Sequence, residues 1–444
     1  MPALTFKCKI QLKIFKDARA GVGVVADVIH FFQKCLLIKL SSATTIEGRT
    51  TPSTCSRSLS DLPNNQRARR IAFATIGDAS DVKFWSGTPF HMWKSLANEG
   101  NEVVQIGPLR APALPLYKAY SKLRRTFRMR HLSPFYAGPV VAQYSADAAR
   151  RIRAASPDIV FAPAGSIFAW NVPDDIPLVY ASDATFRLAD NYHPNCRNLS
   201  RAAREAMERV ERDTIARADL LLYPSEWAAK SAIQDYGADP QRVHVISWGA
   251  NLEDPPDREP VLGYRKPGPC RLLLIGVNWK EKGADIAIET LSELKNRGVE
   301  AELVICGCTP PTPIAQDGVT IIPYLDKNNR EQRNRMDQLY RDADFFLLPT
   351  RADCYGIVFC EAAAHGVPSI APATGGVPSA IRDGETGMLL PLNATTTDYA
   401  TVISETFANP DRLARLRKSS RDAFEARLNW RTWGQRVSDL IQTL

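Results

Sequence analysis

Two acidic residues, Asp353 and Glu361, stand in the part of this sequence that is best suited to chemistry. The stretch DCYGIVFCEAAAHG surrounds Glu361 with apolar side chains. A segment that is apolar around its whole circumference is normally buried, and a buried carboxylate is costly unless a partner satisfies it. Glu361 therefore needs hydrogen-bond donors, either from a ligand or from the protein interior.

Two kinds of partner fit this pattern. The helix that should begin near Gly356 has first amides without intrahelical partners, which suits a phosphate. A carboxylate one turn inside that helix can accept hydrogen bonds from both hydroxyl groups of a ribose. Alternatively, Glu361 pairs with an internal Arg or Lys, and Asp353 caps the helix, since paired buried acids are often structural. Taken alone, the segment does not decide between these alternatives.

The elements that must position these acids follow a regular pattern from Arg69 onward. Short apolar runs that end in Gly, Pro, Ser or Asp alternate with helical stretches, six between residues 70 and 250 and six between residues 271 and 391. Continuous apolar strands that alternate with helices indicate parallel sheets covered on both faces. We therefore predict an α/β protein with two Rossmann-like, doubly wound domains that face each other across a cleft.

Length and composition agree with a two-domain globular protein. The chain has 444 residues, with 45% hydrophobic and 23% charged residues, which is typical of globular domains. Its nine cysteines are scattered and odd in number, which favours a reducing compartment. The net charge of +8 favours anionic partners without choosing one.

The C-terminal half resembles a known family over its most specific motif. The run LLPTRADCYGIVFCEAAAHGVPSIAPATGGVPSAIRDGETGMLLP resembles the signature of retaining GT-B glycosyltransferases of family 4, in which two acids bracket seven residues ahead of an EA-x-A-x-G-x-P turn. The segments GVNWKEKGADIAIETL, ADLLLYPSEWAAKSAIQDYG and WSGTPFHMWKSLANEGNEVVQIGPL are similar to further blocks of that family. The resemblance covers about residues 69–444.

This resemblance implies a domain plan and an activity. It assigns 69–255 to the acceptor domain, 256–429 to the nucleotide-sugar donor domain, and 430–444 to a helix that crosses back to the acceptor domain. Residues 1–68 are an extension outside the family, which we expect to be disordered from its Ser-, Thr-, Pro- and Arg-rich composition, although residues 5–40 also permit an amphipathic or membrane-touching helix. The implied activity is transfer of a hexose, with retention, from a nucleotide sugar to a glycan or lipid-linked sugar acceptor. No metal or cofactor is expected, because the Asp342-Ala-Asp344 pattern is better interpreted as capping.

The resemblance also implies roles for individual residues. The expected catalytic residues are Asp353 at the donor sugar, Lys282 at the diphosphate, and Asp183 at the acceptor, although Asp183 fits a helix cap equally well. The expected donor-binding residues are Glu361 at the ribose, Lys282 again, the helix start at Gly356, Ile357 and Val358, the loop glycine Gly87, and Arg351. Retention by internal return requires no separate nucleophile. A glycine pair, Gly375-Gly376, permits close approach to a ligand or forms a plain turn.

Three departures from the family pattern support a second hypothesis. The first acid is usually Glu rather than Asp353, an Arg commonly stands at Val277, and an acid often stands at Ser379. Lys280 or Arg351 could replace the missing Arg. The alternative function is therefore a GT-B-like protein that binds a nucleotide or serves as a scaffold without turnover.

Location and further partners are weaker inferences. No run of about 18 uncharged apolar residues is present, so we expect no segment to span a membrane. The scattered cysteines lead us to expect a cytoplasmic protein. The segment KLRRTFRMRH at 122–131 is compatible with peripheral contact with the inner face of an anionic membrane, and an ordinary solvated helix face is the favoured alternative. Its aromatic content is too low for nucleic-acid binding.

Overall fold

The computed structural model describes residues 67–127, 129–263 and 267–444. The predicted disordered extension 1–68 lies outside the described residues except for Arg67 and Ala68, and so does Arg128 in the basic segment. In the described part of the chain, no helix combines the length and apolar character needed to cross a membrane.

The first half of the described chain forms a six-stranded parallel sheet in the order β2-β1-β3-β4-β5-β6. Its strands are β1 (Arg70–Ala74), β2 (Glu102–Ile106), β3 (Ile159–Pro163), β4 (Leu178–Ala181), β5 (Leu220–Tyr223) and β6 (Val243–Val245). Its helices are Thr88–Asn98, Leu114–Thr126, Gly138–Ala155, Ser166–Ala169, Phe186–Ala189, Arg201–Arg217 and Glu226–Gln234, with short 3-10 turns at Phe84–Gly87, Pro134–Tyr136, Pro194–Cys196 and Pro240–Arg242.

The second half forms another six-stranded parallel sheet, in the order β12-β11-β10-β7-β8-β9. Its strands are β7 (Cys270–Ile275), β8 (Ala301–Cys306), β9 (Val319–Ile322), β10 (Phe345–Leu347), β11 (Ser369–Pro372) and β12 (Gly387–Leu390). The helices from the connection onward are Arg258–Leu262, Ala284–Asn296, Arg330–Asp342, Ile357–Ala364, Val377–Ala380, Thr396–Phe407, Pro410–Ala426 and Trp430–Ile441.

These sheets confirm the predicted fold class. Each of the twelve apolar runs corresponds to one strand, and the central strands are apolar throughout because helices cover both of their faces. All five residues of β3 are buried, for example, and the rings of Phe73 on β1 and Phe161 on β3 stack with centroids 5.5 Å apart.

The order of the second sheet determines where a ligand can bind. The chain proceeds from β7 outward through β8 and β9, and then returns to place β10 on the other side of β7. Ligands of open α/β sheets bind beyond the carboxyl ends of the strands at such a reversal. The loops that follow β7 and β10 carry Lys282 and Asp353, respectively, so both residues lie at this reversal.

The last helix, Trp430–Ile441, packs against the helix Thr88–Asn98 of the first half. Trp433, Val437 and Ile441 are buried in this contact region. Gly434 is required there, because a Cβ atom at this position would lie 2.2 Å from Ser95 Oγ. The exact domain limits at 255 and 429 stay predictions.

Candidate active site

A cleft with a cavity volume of about 420 Å³ lies between the carboxyl ends of the two sheets. The lining residues of the first half include Trp85, Ser86 and Thr88 between β1 and β2, Asp183 after β4, and Trp248 after β6. From the second half it is lined by Gly276, Val277, Lys282, Cys306, Tyr324, Lys327, Asp353, Tyr355, Gly356, Ile357, Val358 and Glu361, among others. Most of the predicted site residues therefore meet in one place.

Lys282 and Asp353 form an ion pair in this cleft. The distance from Lys282 Nζ to Asp353 Oδ2 is 2.6 Å, and the side chains are 22% and 12% exposed. The Lys-Gly sequence is needed for this placement, because Gly283 has φ +69° and a Cβ atom there would lie 2.1 Å from the carbonyl oxygen of Pro349. The cleft thus presents an ammonium group and a carboxylate at the reversal of the second sheet.

The glycine pair after β11 supports the Asp353 loop. A Cβ atom on Gly375 would lie 2.2 Å from the carbonyl oxygen of Asp353, and one on Gly376 would lie 2.1 Å from that of Cys354. The close approach that these glycines permit is therefore to the protein's own chain, which differs from the ligand approach considered from the sequence.

The helix Ile357–Ala364 begins at the cleft, as predicted. Its N-cap residue is Gly356, with φ +89°, and no side chain caps its first amides. Ile357 and Val358 line the cleft, so the positive end of the helix faces the cavity. This arrangement suits a bound phosphate.

Glu361 is buried, at 1% exposure, and still lines the cleft. Its carboxylate forms an ion pair with Lys327 Nζ and accepts a hydrogen bond of 3.1 Å from the Tyr340 hydroxyl. Glu361 thus pairs with an ammonium group, as one alternative drawn from the sequence required, whereas Asp353 does not cap the helix. Binding of a ribose by Glu361 stays a prediction.

Lys327 was not identified from the sequence. It lies in the polar segment DKNN just before the helix Arg330–Asp342, and such a short polar segment carries no periodic signal. Its neighbours reach the first half, where Asp326 pairs with Lys83 at 2.7 Å and Asn328 Nδ2 lies 3.3 Å from Asp81 Oδ1. Burial lowers the pKa of His91 to about 3, and the charge of Lys327 adds to this shift.

Asp183 lies on the first-half wall of the cleft, half-buried. Burial raises the pKa of its carboxyl group to about 7, and the neighbouring carboxylate of Asp353 adds to the shift, while hydrogen bonds from the amides of Asp183 and Ala184 oppose it. A carboxyl group with this pKa exists in both protonation states near neutral pH, so it can accept or release a proton there.

We expect Asp183→Asn to raise the melting temperature more at about pH 8 than at about pH 5. The folded-state pKa of about 7 exceeds the unfolded value of 3.8, so stability is lost as the pH rises from the lower value to the higher one. The amide cannot ionise and avoids this loss. Thermal unfolding of both proteins at the two pH values measures the effect, and an equal gain at both would contradict it.

Glu211→Gln provides a matched control for that measurement. Burial also raises the pKa of Glu211 to about 7, and this residue does not line the cleft. Both substitutions should change the pH dependence of stability in the same direction. Only Asp183→Asn removes a titrating group from the cleft.

Two predicted donor-binding residues do not line the cleft. Arg351 bonds to Asp285, with distances of 3.1 and 3.2 Å to the two carboxylate oxygens, because the chain turns it toward the helix that follows Lys282. Gly87, with φ +86°, lies behind the cleft wall, where a Cβ atom would be 3.1 Å from the carbonyl oxygen of Val82. Its neighbours Ser86 and Thr88 line the cavity instead.

The family departures also have defined positions. Val277 lines the cleft and is 71% exposed, so no phosphate contact from an Arg side chain exists there. Lys280 is exposed and does not line the cleft. Ser379 Oγ accepts a hydrogen bond from the amide of Glu226 in the first half, at 3.3 Å. No group of three or more metal-binding side chains occurs in the part of the chain that is described.

Two family models match the chain. The model described as "Glycosyltransferase Family 4" matches residues 90–254, and the model described as "Glycosyl transferases group 1" matches residues 269–409. The two matches contain Asp183, Lys282, Asp353 and Glu361, whereas the cleft-lining loop after β1 precedes them.

Proteins that are similar to this chain in sequence or in fold are also glycosyltransferases. A D-inositol 3-phosphate glycosyltransferase of Rhodococcus erythropolis is 30% identical over 224 residues, which are 46% of this chain and 50% of that protein. The chain thus spans about half the length of the curated relatives it matches. A solved glycosyltransferase from Rickettsia africae covers 84% of this chain and 98% of its own, with a TM-score of 0.60 and 16% identity. Anabaena HepE, solved in complex with UDP-glucose, covers 85% and 100%, with a TM-score of 0.54 and 15% identity.

Proposed function

The chain belongs to the group 1, family 4 glycosyltransferases, and from this membership we propose that it transfers a hexose from a nucleotide sugar to a hydroxylated acceptor with retention. The observation that carries the proposal is the set of Lys282, Asp353 and Glu361 on one wall of a single cleft, beside the open start of a helix. The second sheet therefore supplies the donor side.

Each of these groups has a task in the proposed reaction. The helix start at Ile357 and the ammonium group of Lys282 bind the diphosphate, whose negative charge increases as the bond to the sugar breaks. Asp353 accepts a hydrogen bond from a hydroxyl group of the sugar, and Glu361 accepts hydrogen bonds from the hydroxyl groups of the ribose. The leaving phosphate oxygen takes the acceptor proton on the same face of the sugar, so the reaction needs no separate base.

The first sheet supplies the acceptor side. Asp183 faces the cavity beside the aromatic rings of Trp85 and Trp248, whose centroids are 5.3 Å apart in an edge-to-face arrangement. Aromatic faces with one convergent carboxyl group are suited to a sugar or a similar polyhydroxylated molecule. The acceptor is therefore proposed to carry several hydroxyl groups.

A thermal-shift panel with UDP, GDP and ADP tests the donor assignment. A nucleotide present at about 100 times its dissociation constant adds about 2.7 kcal/mol to the free energy of unfolding. UDP is the first candidate, since the similar Anabaena protein was solved with UDP-glucose. We expect one diphosphate to stabilise the chain and the others to have little effect. No shift with any of them would contradict a nucleotide-sugar donor.

The non-catalytic alternative is distinguished by turnover. Three departures from the family pattern favour it, namely Asp353 in place of the usual Glu, Val277 in place of an Arg, and Ser379 in place of an acid. A protein of that kind would bind the diphosphate but would neither transfer nor hydrolyse the sugar. Slow hydrolysis of the nucleotide sugar without an acceptor would favour the enzyme, because glycosyltransferases can pass the sugar to water.

Peripheral membrane contact through the segment 122–131 stays a prediction. No Asp or Glu occurs between Glu102 and Asp147. Leu123, Phe127 and Met129 in this stretch are each nearly half exposed. Apolar side chains surrounded by cations are suited to an anionic membrane surface, where a lipid-linked acceptor would be found.

A further inference from the structure

One hydroxyl group of the first half holds the backbone of Asp353. Tyr192 lies between β4 and β5 of the first sheet, and its hydroxyl accepts a hydrogen bond of 2.9 Å from the amide of Asp353. The same oxygen lies 3.2 Å from the carbonyl oxygen of Asp353 and 3.0 Å from Thr374 Oγ1. A tyrosine hydroxyl donates one hydrogen bond and accepts two, so these three contacts use its full capacity.

The residues around Tyr192 leave space for its hydroxyl group beside Asp353 and hold its ring in place. A Cβ atom on Gly375 would lie 2.4 Å from the Tyr192 hydroxyl oxygen, so any larger residue there would exclude it. The ring of Tyr192 packs on Trp227, with centroids 5.3 Å apart. The side chain is thus fixed from the first half and reaches across to the second.

Arg197, five residues later, holds the other catalytic loop. Its guanidinium group forms two hydrogen bonds with the carboxylate of Glu281, one of them 2.9 Å from Arg197 Nη2 to Glu281 Oε2, and this contact lowers the pKa of Glu281. The same Nη2 donates to the carbonyl oxygen of Tyr192 at 3.0 Å. Glu281 directly precedes Lys282.

Glu281 also joins this loop to the one that carries Asp353. Its carbonyl oxygen accepts hydrogen bonds from the amide of Arg351 at 2.8 Å and from Thr350 Oγ1 at 3.1 Å. The loop after β7 and the loop after β10 are therefore connected to each other, and both are held by a single segment, residues 192–197, of the opposite half.

We propose that Tyr192 and Arg197 are positioning residues through which the acceptor half sets the geometry of the Asp353–Lys282 pair in the donor half. Productive geometry then exists only while the two halves are together, which would limit loss of the donor sugar to water when the cleft is open. The expected effect on catalysis rests on the proposed function. The contacts by which Tyr192 and Arg197 hold the two loops do not.

Tyr192→Phe in the full chain tests the inference, because phenylalanine keeps the ring on Trp227 and removes only the hydroxyl. We expect amide hydrogen exchange in a peptide that spans residues 352–358 to be about tenfold faster, since the Asp353 amide loses its partner. We also expect kcat for sugar transfer to fall about tenfold, because misplacement of a catalytic group slows the chemical step. The KM for the donor and the affinity for the free nucleotide should change less than about twofold, since Glu361 and the helix start are untouched.

Tyr236→Phe is the matched control. The Tyr236 hydroxyl also has two polar partners, Glu208 Oε2 at 2.9 Å and the amide of Arg187 at 3.2 Å, and both lie in the first half. This variant should leave exchange at 352–358 and kcat unchanged. Unchanged amide exchange in Tyr192→Phe would overturn the inference, and so would equal effects of the two variants. An equal loss of nucleotide affinity and of kcat in Tyr192→Phe would also overturn it.

A charge exchange tests Arg197 separately. Arg197→Glu should accelerate exchange in the peptide that carries Lys282 and lower kcat, and the double variant Arg197→Glu with Glu281→Arg should recover part of both. Absence of any recovery, together with an unchanged exchange rate in the single variant, would remove Arg197 from the proposal. If the unaltered protein turns over no nucleotide sugar, the proposed function fails, and the exchange measurements still decide whether residues 192–197 hold the two loops.

Discussion

Glu361→Ala is expected to weaken binding of the nucleotide diphosphate by about 100-fold. Hydrogen bonds to charged groups contribute about 1.5–3 kcal/mol each, and the substitution removes the carboxylate that accepts hydrogen bonds from the two ribose hydroxyl groups. Isothermal titration with the diphosphate identified by the thermal-shift panel measures the change. Glu211→Ala is the matched control, because Glu211 is also a buried acid and does not line the cleft.

The ion pair with Lys327 provides the decisive comparison for this prediction. If Glu361 binds ribose, Lys327→Met should leave nucleotide affinity within about threefold while Glu361→Ala lowers it strongly. If Glu361 serves only to neutralise Lys327, the two single variants should destabilise the fold to a similar degree and bind nucleotide equally well. The double variant should then regain stability, because a buried ion pair can be replaced by apolar groups at little cost.

Asp353→Asn is expected to lower kcat for sugar transfer by about 100-fold with nucleotide affinity changed less than about twofold. The amide keeps the size of the side chain but weakens the contact with Lys282 Nζ, which is 2.6 Å in length, and removes the negative charge near the sugar. Steady-state kinetics and titration with the free diphosphate separate the two effects.

Asp285→Asn is the control for Asp353. Asp285 also forms an ion pair with a cation in the second half, Arg351, and it lies outside the cleft lining. This variant should retain activity. Retained activity in Asp353→Asn, or an equal loss in both variants, would refute the role of Asp353 at the sugar.

The fold could be predicted because its cause is local. The central strands are buried on both faces, so their apolar residues are consecutive and visible in the sequence, as in IVFAP of β3. The same reasoning identified Glu361 as an exception in a buried helix that begins at Gly356. Its burial follows from the residues beside it in the chain.

The identity of the partners could not be predicted in the same way. Lys327 is 34 residues from Glu361, and Tyr192 is 161 residues from Asp353. Both lie in polar loops without periodicity, where nothing in the local pattern separates a contact residue from a solvated one. The same limitation explains why Arg351 and Gly87, close in sequence to cleft residues, do not line the cleft.

The amino-acid sequence by itself determined that this chain forms two parallel sheets, and that Lys282, Asp353 and Glu361 lie in the segments that follow strands of the second sheet. Hydrophobic burial and helix starts depend on neighbouring residues, which is why these features could be inferred from the order of residues alone. Only the tertiary structure decided that Lys327 neutralises Glu361 and that Tyr192 and Arg197 hold the loops of Asp353 and Lys282. The Lys327–Glu361 contact joins distant loops and helices within the second half, and the contacts of Tyr192 and Arg197 join the two halves. Both kinds of contact depend on packing between residues that are far apart in the sequence.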